Sequence, residues 1–472
     1  MFNLQLEPRR LLGRMFALKG KRVTVMGLGR SGRGALRLLS MYGAQVRVTD
    51  TRQEHELQAT LEDLPAGTSL FLGGHPAGLL EDSDLVVISP GVPLYVEPLM
   101  VCRERGTPVI GELELCARVT EIPFIAITGT NGKSTVTTLV GEMLRRAGRP
   151  VFVGGNIGVS LCEGVVRIKK GELEEPEWIV AEVSSFQLET IRRFKPRVAA
   201  ILNLSPDHLD RYDSLDAYLD AKARIFSRQD SGDHIVLNAD DVMVASLATT
   251  ARGQVAWFSR KQAVSRGVFL SGGHLRWKLD NSEGTLMPWG DIRIRGVHNL
   301  ENAMAAACMA LLAGIPAESV AGTLRDFPGL EHRLEHVAVI NGVSYINDSK
   351  ATNIGAVEKS LESFTEPVIL IAGGRGKKTD FRPLRALVQQ HVKTLVLIGE
   401  SARELEEAVG QGMHVIHADS MAAAVRGAAQ AAVDGDVVLL APACASFDMF
   451  RDFEHRGHVF KECVRDLGHE IA

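Results

Sequence analysis

The sequence predicts an α/β protein of three domains, each built around a mainly parallel sheet. Short apolar runs alternate with helical stretches along most of the 472 residues, which is the rhythm of βαβ units. Polar or Gly-rich segments directly follow several of these runs, as they do at the ligand-binding edge of a doubly wound sheet. At roughly 150 residues per domain, the length suggests about three domains.

The first domain is predicted to cover residues 1–112. Its apolar runs predict strands at Val23–Met26, Gln45–Thr49 and Leu85–Ser89. The helical stretches between them indicate crossover connections, and therefore a parallel sheet.

The second domain is predicted to cover residues 113–328. Its strands are expected at Phe124–Ile127, Val151–Val153, Trp178–Val183, Val198–Leu202 and His234–Leu237. Charged residues 166–177 predict an exposed loop, and the Gly-rich alternating runs of 251–297 predict antiparallel strands attached to this domain. A helix is expected from about Leu300 to Ala313.

The third domain is predicted to cover residues 329–472 and to be another doubly wound sheet. Its strands are expected at Val343–Ile346, Val368–Ala372, Thr394–Ile398, His414–His417 and Val437–Ala441.

Composition excludes several classes of protein. The net charge of −4 lacks the excess of positive charge that is expected of a nucleic-acid-binding protein. The longest uncharged apolar run, Ala303–Ile315, spans 13 residues, short of the roughly 20 needed to cross a bilayer, so we expect a buried helix and no membrane insertion. The charged N-terminus leaves no apolar core for a signal peptide. The six Cys form no C-x-x-C pair, which favours reduced thiols in the cytoplasm.

The turn Gly27-Leu28-Gly29-Arg30-Ser31-Gly32 follows the first predicted strand, and Asp50 ends the next one. This pattern satisfies the dinucleotide fingerprint, including an acidic residue about 20 positions on. It is compatible with a nicotinamide dehydrogenase, with a tight turn that binds nothing, or with a site for another diphosphate. We favour the last, because the ATP-type loop lies elsewhere and nothing downstream indicates a hydride acceptor.

The most informative segment is Thr128–Thr135, T-G-T-N-G-K-S-T, which follows the strand at Phe124–Ile127. A Gly-rich turn between a strand and a helix directs backbone N–H groups at phosphate. Lys133 is expected on the outer phosphates and Ser134 on Mg²⁺. Ile127 stands where the common pattern has its first Gly, so the spelling is unusual.

Two acidic or polar segments follow neighbouring strands. Glu182 ends the strand that begins at Trp178, where nucleotide enzymes place a second metal ligand. Such an acid can also merely cap a helix, but beside the Gly129 loop we favour a Mg²⁺ ligand. His208 lies in the turn N-L-S-P-D-H-L-D-R-Y after the strand at Val198, which favours a metal or substrate role over a structural one. Lys222 is, from its own context, a helix-surface Lys.

Three clusters of the third domain follow predicted strands. They are the segments 347–353, 373–380 and 446–453. Their Lys residues, hydroxyls and aromatic rings suit a small dianionic substrate, against the alternative of three unrelated loops.

Taken together, these motifs resemble the Mur ligase family, from about Val23 to Phe460. The T-G-T-N-G-K-S-T loop, which lacks the first Gly of the common motif, is similar to the form of this motif in that family. Segments 181–189, 347–353 and 442–450 resemble the members that add D-glutamate to UDP-N-acetylmuramoyl-L-alanine. The resemblance implies a monomeric amide ligase of cytoplasmic peptidoglycan synthesis that uses ATP and two Mg²⁺ ions and proceeds through an acyl phosphate.

The resemblance also implies roles for individual residues. It implies that the UDP-sugar contacts Ser31, Asp50, Thr51, Arg52, Ser89, Gly91, Asn156 and His208. It implies that ATP contacts Gly129, Thr130, Asn131, Gly132, Lys133, Ser134, Thr135, Asn302, Arg333 and Asp348. The implied metal ligands are Ser134, Glu182, His208 and Lys222 as its carbamate. The implied D-glutamate pocket is Lys350, Thr352, Lys377, Ser446 and Phe453. The implied catalytic residues are Lys133, Glu182, His208 and Lys222.

The chain departs from the family pattern at Arg375, where an Asp is common, which leaves the charge of the pocket open. The rival classes are a nicotinamide oxidoreductase, based on Gly27–Gly32, and a motor or transport ATPase, based on Gly129–Thr135.

Overall fold

Twenty strands form three sheets in the computed structural model, which describes residues 18–76, 78–207, 211–294, 296–376 and 380–471. The described chain divides into two compact units. The first comprises residues up to Ile292 together with Glu301–Asp326 and contains two sheets. The second comprises Arg293–Leu300 and Phe327–Ala472 and contains the third sheet.

The first sheet is entirely parallel, with strand order β3-β2-β1-β4-β5. Its strands are Arg22–Met26 (β1), Gln45–Asp50 (β2), Ser69–Leu72 (β3), Leu85–Ile88 (β4) and Val109–Gly111 (β5). Its helices are Arg30–Met41 (α1), Glu54–Leu61 (α2), Glu97–Glu104 (α3) and Glu112–Val119 (α4). The run L-V-V-I of β4 is buried throughout, as expected for a central strand covered by helices on both faces.

The second sheet has nine strands in the order β14-β13-β12-β11-β10-β9-β6-β8-β7. They are Phe124–Thr128 (β6), Val151–Gly155 (β7), Trp178–Glu182 (β8), Val198–Ile201 (β9), His234–Asn238 (β10), Gln254–Ser259 (β11), Gly267–Ser271 (β12), His274–Leu279 (β13) and Ser282–Pro288 (β14). The helices are Lys133–Arg146 (α5), Leu161–Lys169 (α6), Ser185–Leu188 (α7), Leu215–Ala223 (α8), Val242–Ser246 (α9), Val297–Leu312 (α10) and Ala317–Asp326 (α11).

Two expectations for this region need correction. Strand β11 pairs in parallel with both β10 and β12, and only β12, β13 and β14 pair antiparallel. Residues 166–169 are not loop, because they form the last turn of α6, where Val166 and Ile168 are buried. The expected helix near Leu300 is confirmed, and its residues Ala303–Ala310 are fully buried.

The third sheet has the order β15-β16-β20-β17-β18-β19 and is parallel except for β15. Its strands are Glu335–Ile340 (β15), Val343–Asn347 (β16), Val368–Gly373 (β17), Val392–Ile398 (β18), His414–His417 (β19) and Val437–Leu440 (β20). Its helices are Ile354–Leu361 (α12), Arg385–His391 (α13), Ala402–Val409 (α14), Met421–Ala431 (α15) and Phe453–Ile471 (α16). The five predicted strands are confirmed; the edge strand β15 was not predicted.

The parallel strands place the sequence motifs at common edges. In the second sheet, β6 lies between β8 and β9, with Ile127 opposite Glu182 and Thr128 opposite Ile201. The segments that follow these three strands therefore meet at one edge, where open α/β sheets bind ligands. Within the described residues, no helix is both long and apolar enough to cross a membrane.

Candidate active site

The loop between β6 and α5 has the conformation of a phosphate cradle. Gly132 has a φ of +83°, and a Cβ there would lie 2.1 Å from Asn302 Oδ1, so only Gly fits. Helix α5 starts at Lys133 with no side-chain cap, which leaves its first N–H groups available to an anion. The contact with Gly132 also places buried Asn302 directly at the loop.

Lys133 is turned back onto its own loop. Its Nζ donates to the carbonyls of Gly129 at 3.0 Å and Thr130 at 2.8 Å. The buried hydroxyl residues Ser134 and Thr135 follow it in the first turn of α5. The ammonium therefore caps the cradle, and its two carbonyl bonds must be exchanged for phosphate contacts when a nucleotide binds.

The turn after β9 fastens the other side of this loop. Asn203 Oδ1 accepts from the N–H of Asn131 at 2.8 Å, and the N–H of Ser205 donates to Thr130 Oγ1 at 3.1 Å. The sequence prediction that this turn lies at the loop is thus supported as far as Ser205. His208, three residues further on, lies outside the described residues.

Glu182 presents one carboxylate oxygen to which no described residue donates a hydrogen bond. The residue is 2 % exposed, and its Oε1 accepts from Asn156 Nδ2 at 2.7 Å. Its Oε2 is buried and has no partner within the described residues. A buried polar atom without a partner is costly, and a carboxylate oxygen in that position suits a divalent cation.

Lys222 is buried rather than exposed on its helix. It is 1 % exposed, its Nζ donates to the Gly129 carbonyl at 2.9 Å, and it lies 4.1 Å from the centroid of the Tyr218 ring. Burial, reinforced by the positive charge of Lys133, lowers the pKa of Lys222 to about 6. The amine is therefore mostly neutral at pH 7. The sequence alone gave no sign of this, because a single Lys on a short helix that mixes apolar and charged residues is ordinarily exposed.

A separate cavity of about 560 Å³ lies at the carboxyl ends of the first sheet. Six of the residues that the resemblance assigns to the UDP-sugar line it together: Ser31, Asp50, Thr51, Arg52, Ser89 and Gly91. Arg30 and His75 also line it and were missed. His75 follows Gly73-Gly74 after the short strand β3, so its place after a strand end was the available signal.

Asp50 holds this cavity's glycine turn in place. Its carboxylate accepts from the N–H of Leu28 at 2.7 Å and from the backbone and guanidinium of Arg52 at 2.8 to 3.0 Å. These bonds outweigh the effect of burial and lower the pKa of Asp50 to about 2. The carboxylate is therefore already engaged, whereas a dinucleotide site needs it for a ribose hydroxyl.

In the second unit, Asp348 follows β16 and is buried beside Ser360, whose hydroxyl donates to it. Burial raises the pKa of Asp348 to about 6, against the opposing charge of Arg333. Arg333 itself lies between His332 and Leu334, which have φ values of +62° and +42°. The two residues that flank this Arg thus hold it between uncommon backbone conformations.

Two residues of the predicted amino-acid pocket, Lys350 and Phe453, lie in contact within the same unit. Lys350 Nζ lies 3.5 Å from the centroid of the Phe453 ring. Ser446 is buried after β20, and the N–H of Thr352 donates to the Lys350 carbonyl at 2.8 Å. Lys377 lies outside the described residues.

The charge of Arg375 is neutralised locally. Its guanidinium donates to both carboxylate oxygens of Glu400, at 2.8 and 3.0 Å. The departure from the family pattern therefore adds an ion pair rather than an unpaired cation.

Comparison with known proteins agrees with this geometry. Three family models match in succession: Mur ligase MurD-like, N-terminal domain, over residues 21–111; Mur ligase middle domain over 127–310; and Mur ligase, glutamate ligase domain, over 332–444. This chain belongs to the Mur ligase family. The predicted fold class, three α/β domains, is thereby confirmed.

Curated relatives resemble this Mur ligase over nearly their full length. A UDP-N-acetylmuramoylalanine–D-glutamate ligase of Pelotomaculum thermopropionicum is 47% identical over 450 residues, covering 95% of this chain and 98% of that protein. Proteins of the same name from Koribacter versatilis and Pelobacter propionicus are 44% and 46% identical, covering 96% and 95% of this chain and 99% and 100% of theirs.

Solved structures share the fold at low identity. A pseudomurein peptide ligase type C from Methanothermus fervidus matches with a TM-score of 0.59 and 19% identity, over 95% of this Mur ligase and 100% of that chain. The UDP-N-acetylmuramate-alanine ligase of Thermotoga maritima matches with a TM-score of 0.59 and 18% identity, over the same shares.

Proposed function

We propose that this Mur ligase joins D-glutamate to the alanyl carboxylate of UDP-N-acetylmuramoyl-L-alanine, in peptidoglycan precursor synthesis, with hydrolysis of ATP to ADP and phosphate. The observation that carries the proposal is the phosphate cradle at Gly129–Thr135 with the unpartnered oxygen of Glu182 on the adjacent strand. Relatives named for this reaction are 47% and 44% identical to this chain over nearly their full length, which supports the choice of substrates.

The reaction needs an activated acyl group, because a carboxylate does not react with an amine in water. The alanyl carboxylate attacks the γ-phosphorus of ATP, ADP leaves, and an acyl phosphate results. The neutral amine of D-glutamate then attacks the acyl carbon, and the tetrahedral intermediate loses one proton from nitrogen and expels phosphate to leave the amide. We assign Lys133 and the N–H groups of α5 to the phosphates, since phosphoryl transfer depends mainly on charge stabilisation and positioning. Asn302, Arg333 and Asp348 complete the proposed ATP contacts.

The residues present fit Mg²⁺. The Glu182 Oε2 atom has no donor in the described part of the chain, and Ser134 provides a hydroxyl at the start of α5; both are hard oxygen ligands of the kind Mg²⁺ prefers. We assign Ser134, Glu182, His208 and carbamylated Lys222 as ligands, with two ions in all. When bound, Mg²⁺ neutralises charge on the phosphates.

Carbamylation of Lys222 is chemically accessible. Only a neutral amine attacks CO₂, and the lowered pKa of Lys222 leaves the amine neutral at pH 7. The nitrogen bonds to the carbon of CO₂ and loses one proton, which converts a buried amine into an anionic ligand. The positive charge of Lys133 compensates the carbamate that replaces the neutral amine.

The other two substrates have proposed places. The cavity at the first sheet suits a uridine diphosphate, and Asn156 and His208 are further proposed contacts of the same substrate. Lys350, Thr352, Lys377, Ser446 and Phe453 form the proposed D-glutamate pocket. We further propose domain boundaries near residues 112 and 328, a monomer, and action in the cytoplasm. The amine must reach the acyl phosphate in the absence of water, so we also propose that the domains close when the substrates bind.

The test is phosphate release from ATP and Mg²⁺ with each substrate omitted in turn. We expect release only when UDP-N-acetylmuramoyl-L-alanine and D-glutamate are both present, together with a product that is heavier by one glutamyl residue. L-glutamate in place of D-glutamate should give at most a few per cent of that rate.

The rival classes make different predictions in the same experiment. Phosphate release from ATP alone would indicate a motor or transport ATPase. A change in NADH absorbance on addition of the protein and a carbonyl substrate would indicate an oxidoreductase. Either result, without three-component dependence, would overturn the proposal.

A further inference from the structure

Arg30 joins the glycine turn of the first sheet to a loop of the second. It is the first residue of α1, directly after Gly29, and it lines the cavity at the first sheet. Its guanidinium donates from Nη1 to the Gly158 carbonyl at 2.9 Å and from Nη2 to the Asn156 carbonyl at 3.3 Å. A single side chain therefore connects its own turn to a loop whose acceptors lie 126 and 128 residues further along the chain.

The loop that Arg30 holds is the one that fixes Glu182. Within it, the N–H of Asn156 donates to the Glu182 carbonyl at 2.9 Å, and Asn156 Nδ2 donates to Glu182 Oε1 at 2.7 Å. Both the backbone and the side chain of Glu182 are thus held by Asn156. Asn156 donates to Oε1, so the carboxylate is oriented with its Oε2 atom directed away from any donor among the described residues.

One backbone hydrogen bond closes the loop, from the N–H of Gly155 to the Val159 carbonyl at 2.9 Å. Gly155, with a φ of +109°, packs so closely that a Cβ would lie 2.5 Å from the Glu182 carbonyl oxygen, which fixes the inner end. Within the described residues, no other side chain donates to the carbonyls of Asn156 and Gly158. The two guanidinium bonds are therefore the side-chain contacts that hold the carbonyls of this segment, in addition to the backbone bond that closes it.

We propose that Arg30 is a positioning residue that links the nucleotide-sugar cavity to the cation-binding carboxylate of Glu182 through Asn156. The inference rests on the proposed function for the identity of the two sites. Arg30 carries a full positive charge beside the glycine turn, where a diphosphate is expected, and a charged donor orients carbonyl acceptors more firmly than a neutral one. Loss of Arg30 therefore loosens Asn156 and, through it, Glu182.

The experiment compares Arg30→Ala and Arg30→Lys with the matched control Arg33→Ala. Arg33 lies on the same helix one turn further on, carries the same charge and makes no hydrogen bond to the 155–158 loop within the described residues. Binding of Mn²⁺ is measured by electron paramagnetic resonance in the presence of the non-hydrolysable nucleotide AMP-PNP. Binding of UDP-N-acetylmuramoyl-L-alanine is measured by calorimetry on the same full-length variants.

We expect Arg30→Ala to weaken Mn²⁺ binding by about threefold to tenfold, the range for one or two lost hydrogen bonds, and to weaken substrate binding as well. Arg30→Lys, which can reach one carbonyl, should lie between wild type and Arg30→Ala. In an Asn156→Ala background, the Arg30→Ala change should have no further effect on Mn²⁺, because the connection is already broken.

Several results would overturn the inference. Equal Mn²⁺ affinity in Arg30→Ala and Arg33→Ala would do so, as would additive effects of Arg30→Ala and Asn156→Ala. A lowered melting temperature with unchanged Mn²⁺ affinity would assign Arg30 a purely structural role. If the wild-type protein fails the three-component phosphate assay, the proposed function fails. If it passes that assay and Arg30→Ala binds Mn²⁺ normally, only this inference fails.

Discussion

Lys222 offers the sharpest prediction, because the structure indicates that burying its amine reduces stability. The residue is 1 % exposed and its pKa falls from 10.5 to about 6. We predict that Lys222→Met abolishes activity and yet stabilises the protein at pH 7. Met matches the length of the side chain and carries no charge to desolvate.

The magnitude and its sign follow from proton linkage. Between pH 6 and pH 10.5 the unfolded chain binds a proton at Lys222 that the folded chain does not, so the free energy of unfolding rises with pH over this window. At pH 7 the solution lies 10.5 − 7 = 3.5 pH units below the ordinary pKa of Lys222, which holds in the unfolded chain. The free energy of unfolding is therefore reduced by about 5 kcal/mol, at 1.36 kcal/mol per unit. The lost hydrogen bond to Gly129 subtracts about 1 kcal/mol. We expect a net gain of about 2–4 kcal/mol in Lys222→Met.

The assay is equilibrium urea unfolding at pH 7 and pH 9 in buffers freed of CO₂, since a carbamate would remove the positive charge. The advantage of Lys222→Met should shrink by about 3 kcal/mol over these two pH units. Lys261→Met, at an exposed Lys, is the control and should show no such dependence. A Lys222→Met variant that is less stable than wild type at pH 7, or an advantage that does not change with pH, would refute the reasoning.

Four further substitutions test the site. Glu182→Gln should lower kcat by at least about 100-fold and raise the Mg²⁺ concentration for half-activation; an unchanged Mg²⁺ requirement in the phosphate-release assay would count against the assignment. Lys350→Ala, and likewise Lys377→Ala, should raise the KM for D-glutamate by roughly 10- to 100-fold, as for a lost charged hydrogen bond, while the KM for ATP stays within about twofold; equal rises in both KM values would argue for general damage. Asp50→Asn should weaken calorimetric binding of the UDP-sugar by about tenfold, and because the pKa of Asp50 is about 2, wild-type binding should show no titration of this carboxylate between pH 5 and pH 8.

Much of the fold was predictable because its signals are local. Buried parallel strands are continuous apolar runs, and the residues that follow them are polar at the ligand edge. The loop at Gly129–Thr135 and the acid at Glu182 were therefore found where they lie, on adjacent strands. Six residues assigned to the UDP-sugar also line one cavity.

What the sequence did not reveal depends on partners that are distant along the chain. Alternation in residues 254–259 indicates a strand but not the direction of its neighbour, so the antiparallel expectation for β11 was wrong. The charge of Arg375 could not be judged before Glu400, 25 residues later, was seen beside it. Arg30 stands at a position that the G-x-G-x-x-G motif leaves unspecified, and its acceptors are on the loop after β7.

Lys222 illustrates the same limit at the site itself. Its helix, L-D-A-Y-L-D-A-K-A, predicts an exposed amine, whereas the fold buries that amine against Gly129. Only the resemblance assigned a role to this residue. The lowered pKa now provides a physical reason for that role.

The central claim is ATP-driven ligation of D-glutamate through an acyl phosphate, and an isotope-transfer experiment tests it most directly. UDP-N-acetylmuramoyl-L-alanine is labelled with ¹⁸O in both oxygens of the alanyl carboxylate and incubated with ATP, Mg²⁺ and D-glutamate. We predict that one ¹⁸O atom appears in the released phosphate and the other stays in the new amide, in equal amounts. Phosphate without ¹⁸O, or labelled phosphate without D-glutamate in the product, would contradict the claim.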